Sequence, residues 1–165
     1  MRRLKKILDI AQTATEYVLC LLVTAMVVIV FAQVIFRFIL RASLPWSEEA
    51  ARYLMVWISM LGASIGARAK GHIGVEAVVL LLPPFLKKAA AVAATLAAAA
   101  FFAGMIYYGL GVLKVVRMQE SPAMEISMAI PYSSLAVGGA LMLLYSVEEL
   151  LFLFLPQTLK RGGAS

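Results

Sequence analysis

Residues 37–76 read RFILRASLPWSEEAARYLMVWISMLGASIGARAKGHIGVE, and this stretch decides the fold. It joins two apolar runs of membrane length through a compact acidic, aromatic turn, then leaves through a basic exit punctuated by glycine. A plain hydrophobic anchor has no use for such a turn. It predicts a subunit shaped to fit something at one membrane face.

Composition carries the reading outward. Hydrophobic residues make up 63% of the 165 positions and charged residues 15%, against globular averages of about 45–50% and about 25%. A soluble domain of this size cannot hide so much apolar surface, so most of it faces lipid or a lipid-embedded partner. Four segments lack Asp, Glu, Lys and Arg: Tyr17–Phe36, Tyr53–Ala67, Ala89–Leu113 and Ile126–Val147. A helix needs about 20 apolar residues to cross a hydrocarbon core of about 30 Å. The second segment reaches that length once Trp46–Arg52 is added at its interfacial end. The expectation is an all-α integral membrane protein of one domain over residues 1–165, with spans at about 17–39, 46–67, 89–113 and 126–147. An open sheet would leave backbone donors unpaired in lipid, and the continuous runs lack the alternation of a barrel.

Charge sets the expected topology. Arg2, Arg3, Lys5, Lys6, Arg68, Lys70, Lys87, Lys88, Lys160 and Arg161 fall on the side of the termini, while Arg37, Arg41, Arg52, Lys114 and Arg117 fall on the other. The positive-inside rule then puts both termini in the cytoplasm. The formal charge of +6 is thereby a topology signal and not a nucleic-acid footprint. The N-terminal basic cluster resembles the start of a secretory signal. However, the apolar run from Tyr17 exceeds the ~7–15 residues of a signal core and no small-residue cleavage site closes it, so a retained helix is expected.

Short interfacial helices are expected beside the spans. Met1–Glu16 places Leu4, Ile7, Leu8 and Ala11 on one helical face with basic residues beside them. Ile73–Leu82 is too short to span and is stopped by Pro83-Pro84. Gly62-x-x-x-Gly66, Ser134-x-x-x-Gly138 and the alanines of the third span have the spacing that lets helices approach closely in lipid, and internal packing is their expected use.

Chemistry is sparse. The single Cys20 excludes a disulfide-passing thiol oxidase. The single His72 has no co-ligands for a metal site and reads as a loop residue. An ion-coupled carrier buries a carboxylate or a broken helix near the midplane. Here only Glu148 and Glu149 come close, and the simpler expectation pairs them with Arg68, Lys70, Lys87 or Lys88. No catalytic, substrate-binding or metal-binding residue is expected in this chain, and no enzyme activity.

The turn is richer. Pro45 suits the first position of a helix, and Glu48 and Glu49 complement its dipole. Glu48 and Arg52 are spaced to pair along one face, and Trp46, Tyr53 and Trp57 fit an interfacial aromatic belt. With Gln33 and Arg37 below them, the two acids are expected to include a contact surface for a partner.

These residues resemble, in order and spacing, the small membrane subunit of tripartite ATP-independent periplasmic (TRAP) transporters, the DctQ-like subunit. The resemblance runs through Gln33-x-x-x-Arg37-Phe38, Pro45-Trp46-Ser47-Glu48-Glu49, Ala51-Arg52-Tyr53, Leu61-Gly62-Ala63, Arg68 and Gly71-His72-Ile73-Gly74-Val75-Glu76. A looser match is Ser121-Pro122-Ala123-Met124 with Ile130-Pro131, and Glu76 stands where family members often have Asp. The resemblance implies a multi-pass protein of the bacterial inner membrane that widens the scaffold of a separate large elevator-type permease. A periplasmic binding protein would deliver an organic acid, such as a dicarboxylate or sialic acid, and sodium would bind in the large subunit. Gln33, Arg37, Trp46, Glu48, Glu49, Arg52, Gly62, Gly66, Arg68, His72 and Pro131 are the candidate contact or structural residues. A self-sufficient oligomeric transporter and a non-transport assembly protein are the alternatives.

Overall fold

A computed structural model describes residues 2–69 and 83–154. Its helices are α1 (Arg2–Phe38), α2 (Pro45–Ala69), α3 (Pro84–Val116) and α4 (Ala129–Phe154). All four are long and apolar enough to cross a membrane. The expected all-α, four-span architecture is therefore present. The expected element over Ile73–Leu82 lies outside the described residues, as does His72.

Most helix ends run past the expected spans for local reasons, whereas α4 starts at Ala129 instead of about 126 because Glu120 and Ser127 are bridged in the preceding loop. No glycine or proline interrupts Arg2–Phe38, so nothing breaks the chain between the basic lead-in and the apolar run. The separate interfacial helix expected over Met1–Glu16 is instead the first part of α1. At 1.5 Å per residue, α1 is about 55 Å long and its basic start projects beyond the hydrocarbon. Proline opens α3 at its first turn, where its missing N–H costs nothing. Helix α4 continues through Glu148 and Glu149 to Phe154 because Leu150–Phe154 holds no breaker.

The helices pack as a row, α1 on α2, α2 on α4 and α4 on α3. Adjacent glycines let α4 take neighbours on both sides. A Cβ at Gly138 would come within 2.9 Å of Met60 Cβ on α2, and one at Gly139 within 2.9 Å of Met105 Cε on α3. Backbones can approach that closely only where side chains are absent. The face of α4 made by Pro131, Ser134, Gly138, Met142 and Tyr145 is buried accordingly. The outer helices are bare: Tyr17, Leu21 and Phe31 of α1 and Phe101, Tyr107 and Tyr108 of α3 are exposed.

The two small-residue patterns therefore part company. Ser134-x-x-x-Gly138 is an internal packing seam, whereas a Cβ at Gly62 or Gly66 would meet no atom of another element within 4 Å among the described residues. The expectation of internal packing is not met for the α2 pair, because their side of α2 meets no other helix among the described residues. Accordingly Gly138→Ala should destabilise the purified chain by about 1–3 kcal/mol through overpacking. Gly62→Ala should be neutral or gain about 0.5–1 kcal/mol from helix propensity. Thermal unfolding in mild detergent separates the two, and equal losses would contradict this packing.

Candidate functional site

Polar groups gather at the two ends of the row. At the end where α1 starts and α4 finishes, the centre is Arg68, one residue from the end of α2. Its Nε donates to Glu148 Oε2 at 3.0 Å, and its Nη2 donates to Glu148 Oε1 at 3.2 Å and Asp9 Oδ1 at 2.7 Å. Its Nη1 donates to Gln12 Oε1 at 2.6 Å and to the Leu8 carbonyl at 3.0 Å. A guanidinium has five N–H groups, and each has an acceptor here. The group also lies 5.2 Å over the Tyr145 ring, a favourable cation–π placement. One side chain thus joins α1, α2 and α4.

The partners follow from helical spacing. Leu8, Asp9 and Gln12 lie within one turn of α1, and Tyr145 and Glu148 are one turn apart on α4. Gln12 is in turn held by Glu16, to whose Oε1 its Nε2 donates at 2.7 Å. The Arg68 and Glu148 side chains are only 14% and 10% exposed, against 54% for Asp9, so Glu148 is the buried member of the pairing. The expected pairing of Glu148 with Arg68 is formed. Asp9 and Gln12 were missed, although their place on the polar stripe Asp9–Gln12–Glu16 was open to the same helical-face argument.

At the other end, the link is Glu49. Its Oε2 accepts from the backbone N–H groups of Ala123 at 2.9 Å and Met124 at 3.0 Å, and Tyr53 Oη donates to its Oε1. The receiving loop is a small closed hairpin. Ser121 N–H meets Ile126 O at 2.8 Å, Met128 N–H meets Gln119 O at 2.9 Å, and Glu125 turns the chain at φ 54°. Ser127 Oγ then accepts the Ala129 N–H at 3.3 Å as α4 begins. Trp57 Nε1 donates to the Ile130 carbonyl at 3.2 Å, a second bond from α2 to the start of α4. Glu49 is buried and joins α2 to the α3–α4 loop, so its carboxylate is engaged within the chain instead of facing a partner.

Glu48 remains exposed. Its Oε1 accepts from Gln33 Nε2 of α1 at 3.3 Å, and the expected Glu48–Arg52 ion pair is not formed. Trp46 is exposed near them, Pro131 is buried, and Arg37 has no ion pair among the described residues. Between the first turns of α2 and α4 lies an open groove of about 510 Å³, lined by Glu48, Arg52, Val56, Met128, Pro131 and Leu135 among others. Among the described residues, no group of three or more His, Cys, Asp or Glu could hold a metal ion.

The arrangement is that of a small four-span membrane component whose buried charges are spent on holding its own helices. The family model for tripartite ATP-independent periplasmic transporters, DctQ component, matches residues 26–155. The chain belongs to the DctQ family. It is 30% identical over 64 residues to the C4-dicarboxylate TRAP transporter small permease protein DctQ of Vibrio cholerae, covering 39% of this chain and 28% of that protein. A putative TRAP transporter small permease protein of Haemophilus influenzae is 33% identical over 63 residues, 38% of this chain and 39% of that one. The isethionate TRAP transporter permease protein DctMQ of Oleidesulfovibrio alaskensis is 26% identical over 111 residues, 66% of this chain and 18% of that one. Each alignment thus spans well under half of the relative's own length.

The Glu49 link has a local readout. Glu49→Ala should speed hydrogen exchange at the Ala123 and Met124 amides, because their acceptor is lost. Glu48→Ala should leave both amides as slow as in the parent. Unchanged exchange in Glu49→Ala would remove this carboxylate from its structural role.

Proposed function

We propose that this chain is the small scaffold subunit of a TRAP-type uptake system, working beside a separate large permease and a periplasmic binding protein. It sits in the bacterial inner membrane with both termini cytoplasmic, and it widens the static part of an elevator-type carrier. The cargo is an organic acid, a dicarboxylate or sialic acid being the leading choices, and the sodium sites belong to the large subunit. The observation that carries this reading is the five-way engagement of Arg68 by α1, α2 and α4. It turns Glu148, a buried carboxylate on a helix of membrane-spanning length, into a strut. A self-sufficient carrier needs a carboxylate free to exchange an ion near the midplane, so that alternative loses its main candidate.

The surface supports the same reading. Apolar side chains along α1 and α3 are exposed, and the flank at Gly62 and Gly66, open among the described residues, would let another helix come close. Relatives bear names that join them to C4-dicarboxylate and isethionate uptake, both small organic anions. The proposal assigns the choice among such anions to the other subunits.

Deletion of this chain should reduce binding-protein-dependent uptake to the level of cells lacking the large permease, and the two membrane chains should co-purify in mild detergent. Full uptake without this chain, or flux in liposomes holding it alone, would overturn the scaffold role. For topology, reporter fusions near His72 should read cytoplasmic and fusions after Arg41 or Glu120 periplasmic. The reverse pattern would invert the charge argument.

A further inference from the structure

The groove between α2 and α4 has a polarity that internal packing leaves unused. Its floor is apolar, with Val56 on α2 and Met128, Pro131 and Leu135 at the start of α4. Its rim carries Glu48 and Arg52, one turn apart on the same face of α2 and opposite in charge. These two do not pair. Arg52 has no hydrogen bond or ion pair among the described residues, and Glu48 has only the 3.3 Å amide of Gln33. The volume of about 510 Å³ lies within the ~300–1,000 Å³ range of ligand clefts.

Depth narrows the occupant. Trp46 and Tyr132 are exposed at this end, as interfacial aromatics are at headgroup level. Leu135 is about 6 Å further along α4 than Pro131 at helical rise, so the groove descends from headgroup level into hydrocarbon. A peptide strand would need free backbone donors here, but the amides of Ala123 and Met124 are taken by Glu49. An anionic headgroup fits poorly, because Glu48 and Glu49 outnumber Arg52 along the lining. A headgroup with both signs of charge fits well.

We propose that this groove binds a zwitterionic phospholipid bearing a primary ammonium, of the ethanolamine type. Its phosphodiester lies on Arg52, whose planar guanidinium suits phosphate oxygens. Its ammonium donates to Glu48, and the first carbons of an acyl chain cover Val56, Pro131 and Leu135. A choline headgroup has no N–H to give Glu48. A glycerol headgroup brings a phosphate with no compensating cation. The site belongs to this chain alone, so it stands or falls separately from pairing with a large permease.

Native mass spectrometry of the full chain, stripped of lipid in mild detergent and titrated with dioleoyl phosphatidylethanolamine, phosphatidylcholine or phosphatidylglycerol, tests the site. The ethanolamine lipid should be retained in preference by on the order of tenfold, the worth of one charge-assisted hydrogen bond in a partly wet setting. Glu48→Gln should erase its advantage over phosphatidylcholine. Arg52→Gln should weaken all three lipids, with partial recovery in Arg52→Lys. Arg117→Gln, at the same end but away from the groove, should leave the preference intact. Glu48, Arg52 and Arg117 are all exposed, so their replacement spares the packed core. Equal retention of the three lipids, or the same loss in Arg117→Gln, would overturn the proposal. So would capture of a polypeptide instead of a lipid by a photo-reactive group at Tyr132 in native membranes.

Discussion

The Arg68 guanidinium meets acceptors on two other helices with all five of its donors, and the architecture depends on that junction. A charge on a membrane helix is costly unless it is paired or reaches water. Arg68 and Glu148 are both largely covered, so each requires the other, while half-exposed Asp9 adds a contact at the wetter edge. The junction fixes how far α1 and α4 slide along α2. At the opposite end Glu49 performs a related task by binding the α3–α4 loop. Polar ties thus hold the ends of the row, and close glycine contacts on α4 hold its middle.

Much of the architecture was legible in the apolar runs, because the bilayer sets span length and forces backbone bonds inside each segment. The start of α2 at Pro45 was legible from proline and dipole chemistry, and the pairing of Glu148 with Arg68 from the expense of a lone charge near lipid. Continuity of α1 is not legible from its amphipathic start, which suits a separate interfacial helix equally well; the absence of a breaker over Arg2–Phe38 decides it. Glu49 reads in sequence as a contact residue because the donors its carboxylate accepts from, the Ala123 and Met124 N–H groups, are 74 and 75 residues away. Backbone donors have no sequence signature. Gly62 and Gly66 share a spacing with Ser134 and Gly138, yet only the second pair faces a neighbour, and spacing cannot say which face that is.

Arg68, Glu148 and Glu49 are engaged inside the chain, while the outer helices leave much apolar surface for neighbours. Helices α1 and α3, at the ends of the row, offer broad apolar faces, and α2 offers a smooth flank at its glycines. These faces suit the scaffold role proposed above for this DctQ-family chain. In that proposed role, rigidity would give a moving partner a fixed reference. The same polar ties that leave no free carboxylate at Glu148 supply that stiffness.

The most direct test of the account is a double-mutant cycle between Arg68 and Glu148, read by thermal or denaturant unfolding of the full chain in detergent. Arg68→Gln and Glu148→Gln should each destabilise, because each leaves a largely buried partner uncompensated. The double variant should lose less than the sum, with a coupling in the range of about 1–3 kcal/mol typical of contacting networks. Strictly additive losses would mean that the two side chains do not support one another, and the junction would cease to explain how the helices are held.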